Sequence, residues 1–206
     1  MMMLDASPRT GADLVFPNGR CELVYDKFVR GGKPNWLLLE GGYGTGKTEA
    51  APVMLRERVP GLQNGDIITL NAATKAGGVE GMRSAFHALR YVGLNEQGVR
   101  CLIINEVDRF SGVAGRELKG ELDEVAHLNL PIILTTNEPG ELEGSIISRF
   151  TTLNWERPPA DKLLARAKAV LARHSLALPD DRLLHLIRLA RHELRKLFTE
   201  VLPLAI

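Results

Sequence analysis

Trp36-Leu-Leu-Leu-Glu40 runs directly into Gly41-Gly-Tyr-Gly-Thr-Gly46-Lys47-Thr48, and this junction decides how the chain folds. The first five residues form an apolar run, which is typical of a strand that is buried on both faces of a sheet. The next eight fit the spacing G-x-x-x-x-G-K-[ST], which connects a strand to a helix and cradles phosphate. The junction therefore predicts an α/β fold with a phosphate site at the end of its first strand.

The glycine-rich loop carries the groups that a triphosphate needs. Glycines let backbone N–H groups curl round phosphate oxygens, and the following helix adds the positive end of its dipole. Lys47 is expected to reach the β and γ phosphates, and the Thr48 hydroxyl is expected to bind Mg²⁺. We predict that a nucleoside triphosphate binds with Mg²⁺ through Gly41, Gly42, Tyr43, Gly44, Thr45, Gly46, Lys47 and Thr48.

Short apolar runs recur along the chain and alternate with segments of helical periodicity. This alternation predicts a P-loop α/β fold with a five-stranded parallel sheet, whose strands are covered on both faces. The predicted strands are residues 36–40, 67–70, 101–104, 131–136 and 151–155. The predicted crossover helices are residues 47–58, 78–91 and 114–128.

The pattern changes after Trp155, where Pro158 and Pro159 interrupt the chain and only helical segments follow. We predict an α/β domain over residues 1–156 and a small α-helical lid over residues 157–206. The predicted lid helices cover residues 160–174, 180–190 and 191–202. The charges divide at the same point, because the first part has 16 basic and 20 acidic side chains and the second has 10 and 5. A basic lid suits an anionic ligand at the junction, although a solvated helical face explains most such charges.

The composition excludes several other classes of protein. The chain has 206 residues, a net charge of +1 and two cysteines, which is too few for a disulfide framework. No apolar run approaches the roughly 18 residues of a membrane span. We therefore expect a folded protein of a reducing, cytoplasmic compartment, with no membrane partner.

The third apolar run ends in Asn105-Glu106-Val107-Asp108-Arg109, where a Walker B sequence has its acidic pair. Glu106 is the candidate general base that polarises water. Asn105 takes the place of the metal-organising aspartate, and its amide keeps the shape but not the negative charge. Asp108 is open to two interpretations, since it either replaces part of that charge or serves the structure of the loop.

Further motifs follow in a recognisable order. After the phosphate loop and the NEVD segment come Ile132-Ile-Leu-Thr-Thr-Asn137, Ile147-Ser148-Arg149-Phe150 and His192-Glu-Leu-Arg195-Lys196-Leu197. Together they resemble an AAA+ ATPase over essentially the whole chain. Within that group the chain is most similar to the small subunits of sliding-clamp loaders, of the replication factor C or DNA polymerase III gamma type.

The resemblance implies a role for several residues. Asn137 would be sensor 1 and orient the attacking water, and Arg195 would be sensor 2 and close the lid on the γ phosphate. Arg149 would be an arginine finger that reaches the ATP of a neighbouring subunit, as such fingers neutralise transition-state charge. Asp13-Leu-Val-Phe16-Pro17 resembles the N-terminal segment that borders the adenine, which suggests Phe16 as a contact.

The same resemblance implies cofactors and partners. ATP and Mg²⁺ would bind between subunits of a ring or spiral, built from copies of this chain or from homologous AAA+ subunits. The assembly would load a sliding clamp on primed double-stranded DNA during replication. Backbone contacts to DNA are expected from basic residues near helix starts, for which Lys75, Arg83, Arg116 and Lys119 are candidates.

Two departures from the family keep other functions open. Asn105 leaves room for a nucleotide switch or scaffold that binds ATP without hydrolysing it. The sequence also ends at Ile206, directly after the predicted lid, so we expect the C-terminal collar domain of clamp loaders to be absent. A helicase loader, a transposition regulator and a protein remodeller remain alternatives within the same fold. A P-loop kinase would not need Asn137, Arg149 and Arg195 in this order.

Overall fold

The computed structural model describes residues 4–206, apart from the side chain of residue 76, and it forms the predicted α/β fold. The strands are β1 Trp36–Glu40, β2 Ile67–Asn71, β3 Cys101–Asn105, β4 Ile132–Thr136 and β5 Thr151–Asn154. The helices are α1 Gly19–Val29, α2 Lys47–Arg58, α3 Val79–Leu89, α4 Gly112–Val125, α5 Gly144–Ile147, α6 Ala160–Arg173, α7 Asp180–Leu189 and α8 Leu194–Lys196.

All five strands of this sheet run parallel, in the spatial order β2-β3-β4-β1-β5. In the register of the central pair, Trp36 lies opposite Ile132 and Glu40 lies opposite Thr136. Because the strands are parallel, the loop after β1 lies at the carboxyl edge of the sheet, where α/β proteins bind their ligands. The ends of β3 and β4 lie at the same edge.

The sheet separates two apolar cores, which explains why its strands read as continuous apolar runs. One core joins α1 and α2 to one face of the sheet, and the other joins α3 and α4 to the opposite face. Fully buried side chains of the first core include Phe28, Leu37, Leu39 and Met54, and those of the second include Leu38, Met82, Phe86 and Leu102. The alternation of Leu37, Leu38 and Leu39 between the two cores follows the period of two in a strand.

A third core holds the C-terminal helices together. It contains Leu163 and Val170 from α6, Leu183 and Ile187 from α7, and Leu197 from the turn after α8. The predicted helix over residues 191–202 is wrong in its bounds, since α8 begins at Leu194 and continues as a π-helical turn over Leu197–Val201. The physical reason is the backbone, because Arg191 and His192 have φ of 53° and 59°, which a helix cannot use. The division into domains at residue 156 stays a prediction.

An ion-pair network ties the N-terminal segment to α6. The carboxylate of Asp13 contacts the guanidinium groups of Arg166 and Arg173, and the side chain of Arg166 is only 6% exposed. Arg166 also donates to the carbonyl of Ala6 at 2.8 Å. Burial opposes the charge on Asp13, but the N–H of Arg9 and these two arginines hold the pKa of its carboxyl well below the usual range.

Between residues 4 and 206, no helix is long and apolar enough to cross a membrane.

Asp13→Asn is expected to lower the free energy of unfolding by about 3 kcal/mol near neutral pH, because two guanidinium groups lose their carboxylate in a partly buried site. The folded-state pKa of Asp13 is lowered, so its stabilisation is present above the unfolded pKa of about 3.9 and fades as the pH falls below it. Urea unfolding at about pH 7 and about pH 3 measures the difference from the parent. Asp26→Asn, at an exposed position of α1, is the matched control. Equal losses at both pH values would show that the charge of Asp13 is irrelevant.

Candidate nucleotide-binding site

A cavity of about 360 Å³ opens at the carboxyl edge of the sheet, bounded by the loop after β1, the ends of β3 and β4, the N-terminal segment and the C-terminal helices. Nine predicted site residues line it, which are Tyr43, Gly44, Thr45, Gly46, Lys47, Thr48, Glu106, Asn137 and Arg195. The other predicted site residues, Gly41, Gly42, Asn105, Arg149 and Phe16, lie outside the lining. Residues that the sequence did not single out for the site include Leu4, Ala6, Pro8, Thr135, Trp155, Arg166, Leu194 and Phe198.

The phosphate loop is held in its curled form from two sides. Gly41 lies so close to the carbonyl of Trp155 that a Cβ there would collide with it. The indole N–H of Trp155 donates to the carbonyl of Thr45 at 3.2 Å, and Trp155 is 1% exposed. Gly44 has a φ of 72°, and a Cβ there would collide with the side chain of Glu193. The loop is therefore fixed between a buried tryptophan and the start of the last helix.

Lys47 is the buried cation at the centre of the loop. Lys47 is 6% exposed, and its Nζ donates to the carbonyls of Gly41 and Gly42 at 2.5 and 2.7 Å. Burial lowers the pKa of the Lys47 ammonium to about 8, against the opposing charges of Asp108 and Glu106. An ammonium that is short of counter-charge favours an anionic ligand in the cavity.

The end of β3 brings Glu106 to the cavity and turns Asn105 away from it. The amide oxygen of Asn105 accepts from the hydroxyl of Thr135 at 3.1 Å, and the same hydroxyl accepts from the N–H of Glu106 at 3.2 Å. Glu106 has a left-handed φ of 56°, which is uncommon for a residue with a side chain and recurs at functional sites. The structure thus places the candidate base in the cavity and occupies the oxygen of the predicted metal ligand Asn105.

Asp108 lies directly behind this edge. Its side chain is 1% exposed, and Oδ1 accepts from the hydroxyl of Thr136 at 2.8 Å and from the N–H of Asn137 at 3.0 Å. Within residues 4–206, Oδ2 has no hydrogen-bond partner, although Nε of Arg109 approaches it at 3.3 Å. The sequence shows an acid here, but it does not show that the acid is buried beside Asn137.

The donor set suits Mg²⁺ bound through phosphates rather than a metal enclosed by protein ligands. Over the described residues, no group of three or more His, Cys, Asp or Glu side chains could hold a metal ion. The cavity instead offers the hydroxyl of Thr48 and the carboxylate of Glu106, with a buried carboxylate oxygen of Asp108 behind them. Mg²⁺ keeps several waters and takes one or two protein ligands beside phosphate oxygens, so these residues fit it.

The C-terminal helices close the cavity from above. The N–H of Arg195 donates to the carbonyl of Gly44 at 3.2 Å, and Leu194 packs against Gly46. Arg195 and Asn137 both belong to the lining of the cavity, together with Lys47 and Glu106. Two of the three predicted sensor and finger residues therefore meet in one site.

Arg149, the third of these residues, lies elsewhere. It follows α5, and its guanidinium binds both carboxylate oxygens of Asp123 on α4, with Nη2 at 2.7 and 2.9 Å. It also donates to the carbonyl of Ser145. The side chain of Arg149 remains 25% exposed. Arg149 therefore lies outside the cavity of its own chain.

The N-terminal segment contributes apolar residues to the cavity. Leu14 and Val15 from the predicted N-terminal segment line it. Phe16, the residue that we predicted to make contact, instead packs into the core, 5.6 Å from the ring centre of Trp155 and 4.9 Å from that of Tyr25. Phe16 belongs to the same core as Tyr25 and Trp155, so the segment lies at the cavity while the side chain of Phe16 is outside its lining.

Comparisons with known proteins identify the family to which this fold belongs. The sequence profile of the family described as "ATPase family associated with various cellular activities (AAA)" matches residues 37–155. Replication factor C small subunit 1 of Pyrobaculum arsenaticum is 26% identical over 171 residues, which are 82% of this chain and 51% of that protein. Replication factor C subunit 3 of Saccharomyces cerevisiae is 25% identical over 187 residues, or 89% of this chain and 54% of that protein. The chain spans about half the length of the curated relatives it matches.

Solved structures share the fold. The RuvB Holliday junction branch migration motor of Thermotoga maritima superposes with a TM-score of 0.72 and 18% identity, covering 94% of this chain and 63% of that chain. The family match runs from β1 to Trp155 and includes the phosphate loop, Glu106 and Asn137. With more than half of its residues matched and the cavity built from the same segments, the chain belongs to the AAA family of ATPases.

Proposed function

We propose that this chain is the ATP-binding subunit of a clamp-loader-like oligomer, which hydrolyses ATP between subunits to load a sliding clamp on primed double-stranded DNA. The observation that carries the proposal is the likeness to replication factor C subunits over 82–89% of the chain. The separation of Arg149 from the cavity of its own chain supports hydrolysis between subunits.

In the proposed site several lining residues have a defined task. Lys47 and the N–H groups of the loop bind the phosphates. Thr48 would hold Mg²⁺, which would supply positive charge at the phosphate oxygens when bound. Glu106 accepts the proton of the attacking water, and the amide of Asn137 orients that water. Arg195 adds a cation from the lid. The base of ATP packs between Leu14, Val15 and the apolar side chains near them.

The reaction is completed by a second copy or a homologous AAA+ subunit. Arg149 exchanges the carboxylate of Asp123 for the γ phosphate bound by its neighbour and neutralises charge in the transition state. The pair with Asp123 is half-exposed, so its loss costs little, on the order of 0 to 1 kcal/mol. The site is therefore incomplete without the neighbouring subunit.

Primed DNA is proposed to lie against α3 and α4, which pack on each other. Arg83 on α3 forms an ion pair with Glu117 of α4, with Nε and Oε1 2.5 Å apart. Lys75 precedes α3, whereas Arg116 and Lys119 lie on α4, and all three are exposed. The exposed cations Lys75, Arg116 and Lys119 at these two helices support contacts with a phosphate backbone.

A protein partner is proposed at an exposed apolar patch, made of Tyr91, Val92 and Leu94, which are 55%, 78% and 73% exposed. The loop that carries the patch is rigid, because the buried carboxylate of Asp66 accepts from the N–H of Leu94 at 2.5 Å and from the amide of Asn95 at 2.9 Å. Apolar side chains on a fixed loop support docking of a protein. In a clamp-loader-like oligomer we assign this contact to the clamp.

Asn105 favours a second candidate function, that of a nucleotide switch. Its amide brings no charge to the end of β3, so ATP can remain bound while the assembly acts as a scaffold. Assembly that depends on ATP, without release of phosphate in a single turnover, would favour the switch over the motor. The helicase-loader, transposition-regulator and remodeller alternatives predict instead that a sliding clamp leaves the ATPase rate unchanged.

ATP affinity is expected to fall above about pH 8. Below that pH Lys47 is already protonated, whereas above it the free protein must take up a proton when phosphates bind, which costs up to about tenfold in affinity per pH unit. Isothermal titration calorimetry between about pH 7.5 and 9.5, in buffers of different protonation enthalpy, measures both affinity and proton uptake. Lys47→Arg, whose guanidinium stays charged, is the matched control and should show no proton uptake. Equal proton uptake by parent and variant would contradict the assignment.

Arg149→Ala is expected to lower kcat of the assembled oligomer by about 10³ while ATP affinity stays unchanged, because the lost cation acts on the neighbour's phosphate. The decisive measurement mixes Arg149→Ala chains with Lys47→Ala chains. A mixed interface then combines an intact pocket with an intact arginine, and activity should return. Arg20→Ala, an exposed arginine of α1, is the control. If the mixture stays as inactive as each variant alone, Arg149 does not act between chains.

The ATPase rate should rise when primed DNA and a sliding clamp are added together. Replacing Val92 and Leu94 by serine is expected to reduce the clamp-dependent increase in ATPase rate at least about tenfold, because both apolar contacts with the clamp are lost. ATP affinity should stay within about twofold of the parent. Leu23→Ser, at a 55% exposed position of α1, is the control. A steady-state assay with and without each component measures the effect. A full clamp response in the double variant would place the contact elsewhere.

A further inference from the structure

The carboxylate of Asp108 is buried beside the edge of the cavity. Its side chain is 1% exposed, while the nearby side chain of Glu138 is 48% exposed. One oxygen is bonded twice, to the hydroxyl of Thr136 and to the N–H of Asn137. The other oxygen is buried without a hydrogen bond from any residue in the range 4–206. A buried charge that lacks part of its hydrogen bonds needs a nearby positive charge.

The groups that face Asp108 include two cations. The guanidinium of Arg109 approaches Oδ2 at 3.3 Å, but it is 45% exposed and also binds the hydroxyl of Tyr43 at 2.6 Å and the carboxylate of Glu138 at 3.0 Å. Its charge is therefore shared and screened. The second cation is the buried ammonium of Lys47, whose pKa Asp108 raises more than any other charged neighbour does.

Asn105 contributes no charge to the same edge. Its amide oxygen is already bonded to the hydroxyl of Thr135, which in turn accepts from the N–H of Glu106. Glu106 is the other acid at this edge, and it lines the cavity. Among the described residues, Asp108 is thus the buried carboxylate available to offset a divalent cation from behind the strand ends.

We propose that Asp108, in place of Asn105, supplies the buried negative charge on which binding of Mg²⁺ with the nucleotide depends in this chain. It is a positioning residue, since it lies outside the cavity lining and acts through the backbone of Asn137 and the charge of Lys47. This inference rests on the proposed binding of ATP. The alternative is that Asp108 only serves the structure of the loop. In that case its hydrogen bonds would be needed, but its negative charge would not.

Asp108→Asn separates charge from hydrogen bonding, because asparagine keeps an oxygen that can accept from Thr136 and Asn137. The Mg²⁺ concentration for half-maximal binding of a fluorescent ATP analogue is expected to rise about tenfold or more, as the charge near the cation is lost. Binding of the same analogue in EDTA should change less than about threefold. If Asp108 had only a structural role, the substitution would weaken binding of the analogue with Mg²⁺ and in EDTA to the same extent.

Asn105→Asp supplies the second half of a double-mutant cycle. Added to Asp108→Asn, it should restore the Mg²⁺ requirement to within about threefold of the parent, because the charge returns at the neighbouring strand end. On its own it should change the requirement by less than about threefold, since Asp108 already provides the charge. Glu138→Gln, an exposed acid on the adjacent loop, is the matched control and should leave the requirement unchanged.

Two results would overturn the inference. One is that Asp108→Asn raises the Mg²⁺ requirement by the same factor in the parent chain and in the Asn105→Asp variant. The other is a gain of more than about tenfold in Mg²⁺ affinity for Asn105→Asp alone, which remains measurable even if Asp108→Asn does not fold. Failure of the proposed function is distinguishable from both, because it appears as no nucleotide binding by the parent chain or as no response of its ATPase to clamp and DNA.

Discussion

The nucleotide site depends on the burial of one ammonium group. Lys47 is 6% exposed, and a charge so far from water is tolerated where oxygen atoms surround it. The carbonyls of Gly41 and Gly42 provide two of these oxygens, which requires the loop to curl back over its own lysine. That curl brings Gly44 into a left-handed conformation against the side chain of Glu193. The last helix therefore packs against the same loop that accommodates Lys47.

The connection between α7 and α8 contains backbone strain, which the packing of Glu193 and Leu194 on the phosphate loop explains. Arg191 and His192 are both left-handed, at roughly 1 kcal/mol or more each for residues with side chains. In return, Leu194 packs on Gly46 and the side chain of Arg195 reaches the cavity. A regular helix from residue 191 would point these side chains elsewhere. Strain between the helices thus serves the closure of the site, which links the third core to the phosphate loop.

The sheet and the phosphate loop were predictable because local patterns carry them. Apolar runs placed each strand within about two residues, and the glycine spacing placed Lys47 and Thr48 at the cavity. Three features depend on contacts that a local pattern does not contain. The start of α8 follows from packing on the loop, the inward turn of Phe16 follows from the ring of Trp155, and the burial of Asp108 follows from Thr136 in another strand. In each case a partner distant in sequence overrides local preference.

Under the proposed function, Arg149 would couple nucleotide binding to assembly. In the single chain its guanidinium is paired with Asp123, whose side chain is 54% exposed, so the pair is worth on the order of 0 to 1 kcal/mol. A triphosphate in a neighbouring cavity carries more charge and is less accessible to water, and it is therefore the stronger partner. Under the proposed function, an empty neighbour leaves Arg149 on α4, whereas a nucleotide-loaded neighbour draws it across the interface. Because free energies of linked binding are reciprocal, an interface that forms through Arg149 must also tighten the binding of ATP.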